Sequence, residues 1–442
     1  MSYEIGKKLI KQKQYKKAFY IFSKLLEKNS RDLRANFQMG KIYYELNNLS
    51  KSLFFFEKCN KIQPNTPNII FNLALIFQST GKIEEARKQY LNLIAINSND
   101  IKSYYGLSIL DIGFIEPKLY NNLEKIIKDN KISLFEKSLI NFIFSKCEKK
   151  KNELDKEIEY LKLAHQNCYE ANTVYNEQSD FYYKKIISRN FNQIIFQEKF
   201  EVIPEFNNSN HIFIIGLPRS GSSLVETIIA HNEPRITPVG EFHGINTSIL
   251  DQIGKTILSK DFNHKDFILS INQKKFQDSL LEKYDNFKNK FYLDKSLENF
   301  FNIEIILKFF PNAKFIHTYR STNDAIIGIY QTMLPELSWS HKIQDIIDYM
   351  NIYNKTIGYF KKKYPNKIID VELSELSNNK EKETKKILEF CNIKFNSNYL
   401  DFDKNNKLFN KTNSFLQVKK KITKYENTKY QPYFYLLNKD IN

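Results

Sequence analysis

The stretch FIIGLPRSGSSLVETIIAHN, residues 213–232, decides the fold. Its first residues form an apolar run that ends at Gly216 and predicts a buried strand, and the apolar spacing after Ser222 predicts a helix. The tight turn between them contains Gly221, and glycine permits close approach and unusual dihedral angles. The first amides of a helix have no partner inside it, and the helix dipole adds positive potential there. This order of elements therefore predicts an anion-binding loop.

The loop differs at one position from a loop that binds nucleoside triphosphates. That motif reads GxxxxGK[ST]. Gly216 and Gly221 have its spacing, but Ser222 stands where the motif has lysine. The cation lies inside the loop instead, at Arg219, and Ser222 and Ser223 add hydroxyl donors. An ATPase or kinase is therefore less favoured than a protein that binds another phosphate- or sulfate-bearing anion.

Beyond residue 210, short apolar runs alternate with segments of helix length. The runs are HIFIIG at 211–216, FYLDK at 291–295, KFIHTYR at 314–320 and KIIDVE at 367–372. Strands that alternate with helices predict a parallel sheet flanked by helices. Sheets of this kind bind their ligands at the carboxyl ends of the strands, where the anion loop also lies.

The loop sequence GLPRSGSSL closely resembles the 5′-phosphosulfate loop of sulfotransferases, most of all that of the tyrosylprotein and the bacterial repeat-containing enzymes. The resemblance covers about residues 211–437 and implies a P-loop-like α/β sulfotransferase domain with a central parallel sheet. It also implies 3′-phosphoadenosine-5′-phosphosulfate (PAPS) as the donor, with no metal. The residues that would hold its 5′-phosphate and sulfuryl group are Arg219, Ser220, Gly221, Ser222 and Ser223.

The same resemblance implies which groups do the chemistry. Glu241, in PVGEFHG, stands where the tyrosylprotein branch has its general base, and His243 is a rival candidate for that role. Lys295, in FYLDKSLEN, stands where the family lysine contacts the sulfuryl group and the bridging oxygen. Lys295 and Arg219 would stabilise the leaving phosphate, and Asp294 would position the loop.

Two further segments resemble the binding site for the 3′-phosphate. In FPNAKFIHTYRSTNDAIIGIY, residues 310–330, Arg320 is the expected ligand, the strand is predicted to end at it, and a helix is predicted to begin after Asp324. The family serine eight residues after the arginine is replaced by Gly328, and Ser321 or Thr322 is a candidate substitute. In NSFLQVKKKITKYE, residues 413–426, the implied ligands are Ser414, Gln417, Lys419 and Lys420.

The first part of the chain repeats itself every 34 residues. This step aligns three sets of positions: Gly6, Gly40 and Ala74; Ala18, Ser52 and Ala86; Phe22, Phe56 and Tyr90. Small residues recur where helices approach closely, and an aromatic recurs to fill the gap. Period and pattern resemble the tetratricopeptide repeat over about residues 2–100, with a generic antiparallel helical array as the alternative. We predict a repeat domain at 1–169, a helical connector at 170–209 and the sulfotransferase domain at 210–442.

Composition excludes several classes of protein. The net charge of +17 comes from lysine spread along the chain, without a dense basic block, so nucleic acid is not the expected partner. The four cysteines are far apart and suggest neither zinc nor a disulfide framework. The N-terminus lacks the apolar core of a secretory signal, and no apolar run is long enough to span a membrane. A cytoplasmic location is therefore expected.

Together these observations predict a sulfotransferase that moves the sulfuryl group of PAPS in line to an acceptor hydroxyl, with Glu241 as general base. The acceptor stays open among a saccharide, a lipid, a metabolite and a peptide tyrosine. The repeats suit a protein partner or self-association. The alternative is a catalytically inactive nucleotide-binding or scaffold protein, which Gly328 favours and the set of Arg219, Glu241, Lys295 and Arg320 argues against.

Overall fold

The structure is a computed structural model that describes residues 2–12, 14–46, 48–193, 195–196, 210–253, 270–284, 291–395, 425–426 and 428–439. The chain divides between Asn172 and Thr173 into two compact units. The first residues of the predicted connector, 170–172, belong to the first unit, and its remaining helical residues, 173–190, belong to the second. No helix in the described part of the chain is both long enough and apolar enough to cross a membrane.

The first unit is built of helices joined by short turns. They are α1 (Tyr3–Lys11), α2 (Tyr15–Lys28), α3 (Leu33–Glu45), α4 (Leu49–Ile62), α5 (Pro67–Thr80), α6 (Ile83–Ile96), α7 (Ile101–Leu110), α8 (Pro117–Ile126), α9 (Leu134–Lys150) and α10 (Leu154–Ala171), with a 3₁₀ turn at Ile112–Phe114.

The repeated small and aromatic residues pack against one another as the 34-residue period predicts. A Cβ atom on Gly6 would lie 2.5 Å from the Phe22 ring, and one on Gly40 would lie 2.9 Å from the Phe56 ring. The aromatic side chain of the second helix thus occupies the space that glycine leaves on the first. Ser52 adds a hydrogen bond from its hydroxyl to the Gly40 carbonyl at 2.8 Å. Each repeat therefore closes on itself through contacts that are local in sequence.

The second unit begins with α11 (Thr173–Phe181), a π-helix (Tyr182–Ile187) and the short α12 (Ser188–Asn190). Its remaining helices are α13 (Ser222–Asn232), α14 (Gly244–Ile253), α15 (Gln273–Tyr284), α16 (Ile303–Phe309), α17 (Thr322–Tyr330), α18 (Ile343–Lys363), α19 (Leu373–Asn378), α20 (Lys380–Phe390) and α21 (Leu436–Lys439), with 3₁₀ turns at Leu297–Phe301, Ser338–Ser340 and Gln431–Tyr433.

A five-stranded parallel sheet forms the centre of this unit. The strands are β2 (Asn210–Gly216), β3 (Thr237–Gly240), β5 (Phe291–Asp294), β6 (Lys314–Tyr319) and β7 (Ile368–Glu372), in the order β3-β5-β2-β6-β7. A separate parallel pair joins β1 (Ile195–Phe196) to β4 (Ser270–Ile271). A helical repeat region followed by a domain with a central parallel sheet, as expected from the sequence, is confirmed.

The central strand β2 is buried on both of its faces. Ile212 and Ile214 pack into a core with Val225 and Ile229 of α13, while Phe213 stacks on Phe315 of β6 with ring centroids 5.5 Å apart. Because all five strands are parallel, their carboxyl ends meet at one edge of the sheet. The loops that follow β2, β3, β5 and β6 therefore converge there.

Some predicted boundaries differ from those in the structure, and three short strands were not predicted. The strand β6 ends at Tyr319 rather than at Arg320, and α17 begins at Thr322, so Asp324 lies inside the helix that was predicted to begin after it. The strands β1, β3 and β4 were not predicted. All three are only two to four residues long, too short to show a periodic pattern.

Candidate functional site

The loop between β2 and α13 has the backbone of an anion cradle. Gly216 has φ +147°, and a Cβ on it would lie 2.3 Å from the Thr318 carbonyl oxygen, so a glycine is required for β2 and β6 to approach. Arg219 (φ +67°) and Gly221 (φ +89°) are both left-handed. These dihedral angles turn the chain sharply into α13, whose first amides lack partners within the helix.

Ser220 stabilises this loop through contacts of its buried hydroxyl. Its side chain is buried, and its hydroxyl donates to the Leu217 carbonyl at 2.7 Å and lies 2.8 Å from the Thr318 hydroxyl. The hydroxyl of Ser220 is thus used in holding the loop against β6. Ser222 and Ser223, the first residues of α13, are also buried, and the second lies beside the lysine that follows β5.

Lys295 lies at the centre of the site, although lysine is usually a surface residue. Only 1% of its side chain is exposed, and its Nζ lies 3.4 Å from Ser223 Oγ and 3.3 Å from Glu241 Oε1. A backbone hydrogen bond of 2.9 Å from the Lys295 amide to the Gly240 carbonyl joins the two segments. The structure therefore brings together three residues that the sequence placed far apart: the loop serine, the proposed base and the lysine.

Glu226 is a member of this cluster that sequence reasoning missed. It lies on α13, buried, with Oε2 3.5 Å from Lys295 Nζ, and its Oε1 has no hydrogen-bond partner among the described residues. Burial raises the pKa of Glu226 against the opposing effect of Lys295. Burial alone would lower the pKa of Lys295, but Glu226 and Glu241 outweigh it and the net shift is upward. The lysine is therefore held as an ammonium group between two carboxylates.

Glu241 and His243 differ sharply in their surroundings. The Glu241 side chain is 45% exposed and reaches solvent, although it also contacts Lys295. His243 hydrogen-bonds through Nδ1 to Glu298, and its backbone amide donates to Ser296 Oγ at 2.7 Å. The charge of Glu298 raises the pKa of His243 to about 9, so the ring already carries a proton at neutral pH. His243 is thus paired as a cation, whereas the Glu241 carboxylate keeps access to solvent.

Asp294 holds the segment that carries Lys295. Its carboxylate is 1% exposed and accepts from the Ser296 amide at 2.7 Å and from Asn299 Nδ2 at 3.5 Å. These bonds fix the turn after β5, as the sequence led us to expect.

Arg320 follows β6 on the other side of the loop. Its Nη1 donates to the Arg219 carbonyl at 3.3 Å, and its Nη2 contacts Asp324 at 3.4 Å and hydrogen-bonds to the Tyr425 hydroxyl. Within the described chain, its Nε is buried without a hydrogen-bond partner. Burial lowers the pKa of Arg219, and the nearby charge of Arg320 lowers it further. Through the contact of Arg320 with the Arg219 backbone, the structure brings two arginines together, and guanidinium groups suit phosphate or sulfate oxygens.

A cavity of about 420 Å³ opens beside Arg320. Its lining comes from the start of α17, the end of β7 with the start of α19, and the C-terminal segment: Ser321, Thr322, Asn323, Asp324, Glu372, Ser374, Tyr425 and Phe434. Ser321 and Thr322, the candidate substitutes for the missing serine, face this cavity. Ser414, Gln417, Lys419 and Lys420 lie outside the described residues, so their predicted contacts stay predictions.

Family comparisons agree with both parts of the chain. Residues 211–397 match the model described as the sulfotransferase family, and residues 33–66 and 67–100 match the tetratricopeptide repeat. The resemblance drawn from the loop and from the 34-residue period is thus confirmed.

Individual relatives are distant. An uncharacterized protein of Aquifex aeolicus (strain VF5) is 23% identical over 417 residues, which is 89% of this chain and 52% of that protein. The chain therefore spans about half the length of the curated relative it matches.

Three solved structures are also similar. The sulfotransferase domain of the Synechococcus PCC 7002 olefin synthase has 18% identity and a TM-score of 0.33, over 53% of this chain and 91% of that one. The sulfotransferase STF1 from Mycobacterium tuberculosis H37Rv has 10% identity and a TM-score of 0.31, over 68% and 90%. MamA has 17% identity and a TM-score of 0.31, over 38% and 96%.

Proposed function

We propose that the sulfotransferase-family domain of this chain transfers the sulfuryl group of PAPS to an acceptor hydroxyl. One observation supports this most: a buried ammonium, that of Lys295, lies within 3.4 Å of both a phosphate-loop hydroxyl and a half-exposed carboxylate. The loop suits the anionic donor, the carboxylate suits removal of a proton, and the lysine lies between them. Sulfuryl transfer needs a site for the anionic donor, a proton acceptor and a stabilising cation close together.

In the proposed reaction, Glu241 accepts the proton of the acceptor hydroxyl while the acceptor oxygen forms a bond to sulfur. The bond between sulfur and the bridging oxygen of the 5′-phosphate breaks, and its electron pair stays on that oxygen. Lys295 and Arg219 stabilise the negative charge that arrives there. The products are the sulfated acceptor and 3′-phosphoadenosine-5′-phosphate (PAP), with the proton left on Glu241.

The buried carboxylate of Glu226 fits this scheme as the residue that holds Lys295. When Glu241 takes a proton, it loses its charge and its attraction for the lysine. Glu226 then stays as the carboxylate beside Lys295, 3.5 Å away in the structure. The ammonium is thereby kept charged and in place at the moment when the leaving phosphate needs it.

The 3′-phosphate of the donor would bind at Arg320, whose guanidinium lies on the far side of the loop from Lys295. The two arginines and Lys295 supply positive charge without a metal ion, which is why we expect the reaction to need none. The acceptor stays open among hydroxyl-bearing saccharides, lipids, metabolites and peptide tyrosines, and the repeats suit a protein partner or self-association.

The test is transfer of radiolabelled sulfate from PAPS, measured with the full-length protein and a panel of these four acceptor classes. We expect label on at least one class, and we expect Glu241→Gln to lower the rate of labelling by about 100-fold or more. Glu389→Gln, an exposed glutamate on α20, serves as the matched control and should leave transfer unchanged. Tight binding of PAP without transfer to any class would instead support the inactive nucleotide-binding protein.

A further inference from the structure

Position 328, on α17, has a glycine whose missing side chain leaves room for two other groups. A Cβ atom built on Gly328 would lie 3.2 Å from Arg320 Nη1 and 3.5 Å from the hydroxyl of Tyr430. It would also lie 3.8 Å from the Cβ of Arg219. The space beside α17 is therefore shared by a guanidinium and by a phenol that comes from the C-terminal segment, about 100 residues further along the chain.

Tyr430 is buried beside α17 rather than exposed on the surface. Its side chain is only 6% exposed, and its ring lies 4.7 Å from Arg320 Cζ, in the position of a cation–π contact. Its hydroxyl and Arg320 Nη1 border the same space, since both lie within 3.5 Å of the Cβ position of Gly328. Burial would raise the pKa of the phenol, but the charges of Lys429, Arg320 and Arg219 outweigh it and lower the pKa.

Tyr425 also touches Arg320, but its hydroxyl is already committed. It donates to the carboxylate of Asp324, and it lies against Arg320 Nη2 at the same time. The Tyr430 hydroxyl differs because its surroundings are cationic. Among the described residues, the charges that act on this phenol are cations, so it is suited to donate its proton to an anion. Arg320 Nε, buried and without a partner in the described chain, is a second donor at the same place.

We propose that the Tyr430 hydroxyl, together with Arg320, binds the 3′-phosphate of the nucleotide. This inference rests on the proposed function, since it concerns the same donor. The C-terminal segment thereby completes the site that α17, with glycine at 328, leaves without a hydroxyl. Tyr430 acts as a binding residue that discriminates nucleotides with a 3′-phosphate from those without one.

Calorimetric titration of full-length protein tests this with two ligands, PAP and adenosine 5′-phosphosulfate, which lacks the 3′-phosphate. We expect Tyr430→Phe to weaken binding of PAP by about 10-fold or more, the effect of one hydrogen bond to a charged group. Binding of adenosine 5′-phosphosulfate should change by less than about twofold, because that ligand never contacts the hydroxyl. Tyr435→Phe, an exposed tyrosine of the same segment, is the matched control.

A second variant tests the shared space itself. Gly328→Ser alone should weaken PAP binding, because the new Cβ crowds Arg320 Nη1 and the new hydroxyl competes with that of Tyr430. In the Tyr430→Phe background, the phenol oxygen is gone and the introduced serine can supply a hydroxyl from α17. We therefore expect the double variant to bind PAP more tightly than either single variant.

The outcomes separate this inference from the proposed function. If wild-type protein fails to bind PAP, the proposed function is wrong and the inference falls with it. If wild-type protein binds PAP and Tyr430→Phe binds it equally well, the inference alone is overturned. Equal losses for PAP and adenosine 5′-phosphosulfate would also overturn it, because they would assign Tyr430 to packing rather than to the 3′-phosphate.

Discussion

Replacing Lys295 by methionine should lower the stability of the second unit and should also lower the rate of transfer. The two effects have separate causes. The side chain is 1% exposed and pairs with Glu226, whose own side chain is 11% exposed. Methionine removes the ammonium and leaves that carboxylate buried without its cation. Breaking a buried ion pair in this way costs about 3–5 kcal/mol of unfolding free energy. Glu241 adds little to this loss, because it is 45% exposed and water can solvate it.

The double variant Lys295→Met with Glu226→Gln separates stability from chemistry. Glutamine has nearly the shape of glutamate but no charge, so the uncompensated carboxylate is gone. Replacing both partners of a buried pair by neutral groups is often close to neutral. We therefore expect most of the stability to return, while transfer from PAPS stays at least about 100-fold below wild type in both variants, the effect of losing one electrostatic donor.

The chain provides its own probe for this experiment. Trp339 is the only tryptophan, and it is buried in the second unit with its ring stacked on Tyr349, the centroids 3.9 Å apart. Urea unfolding followed by its fluorescence thus reports on the second unit without interference from the repeats. Lys362→Met, an exposed lysine on α18, is the matched control and should unfold as wild type does.

Three results would refute this reasoning. A wild-type unfolding midpoint for Lys295→Met would show that the lysine does not stabilise the buried carboxylate. Failure of Glu226→Gln to rescue stability would show that the carboxylate is not the source of the loss. Wild-type transfer by the rescued double variant would remove Lys295 from the mechanism.

Three further predictions concern other parts of the site. Glu241→Gln should lower kcat by about 100-fold or more while the donor KM stays within about threefold, as for loss of a general base, and steady-state kinetics with excess acceptor checks it. Pairing with Glu298 raises the pKa of His243 from its ordinary 6.5 to about 9 in the folded state, so the pairing stabilises the fold fully below pH 6.5 and this stabilisation is lost as the pH rises through 9. The urea midpoint of the wild-type protein should therefore fall between pH 6.5 and 9, and the midpoint of His243→Asn should fall less. Gly216→Ala should destabilise the second unit by about 1–3 kcal/mol in the same assay, because its φ is +147° and the new Cβ would meet the Thr318 carbonyl; a wild-type midpoint would mean that the loop is looser than described.

The loop between β2 and α13 was predictable from sequence because its signals are local. An apolar run that ends at Gly216 and a change of period after Ser222 mark the strand and the helix, and both boundaries are those of β2 and α13. The repeats were predictable for the same reason. Gly6 and Phe22, or Gly40 and Phe56, are 16 residues apart, within one 34-residue unit.

The contacts that complete the site are not local, and the sequence did not reveal them. Glu226 is one of several polar residues on α13, and its partner Lys295 is 69 residues away. Tyr430 meets Arg320 across more than 100 residues. The one available signal was Gly328, whose missing side chain indicated that a hydroxyl had to come from elsewhere, but nothing in the sequence pointed to a tyrosine.

The most direct test of the central claim is a crystal structure of the protein with PAP bound. We predict the 5′-phosphate against the backbone amides of residues 219–223 and Lys295, and the 3′-phosphate on the guanidinium of Arg320. PAP bound elsewhere on the protein, or a loop that takes ATP with magnesium while excluding PAP, would contradict the account.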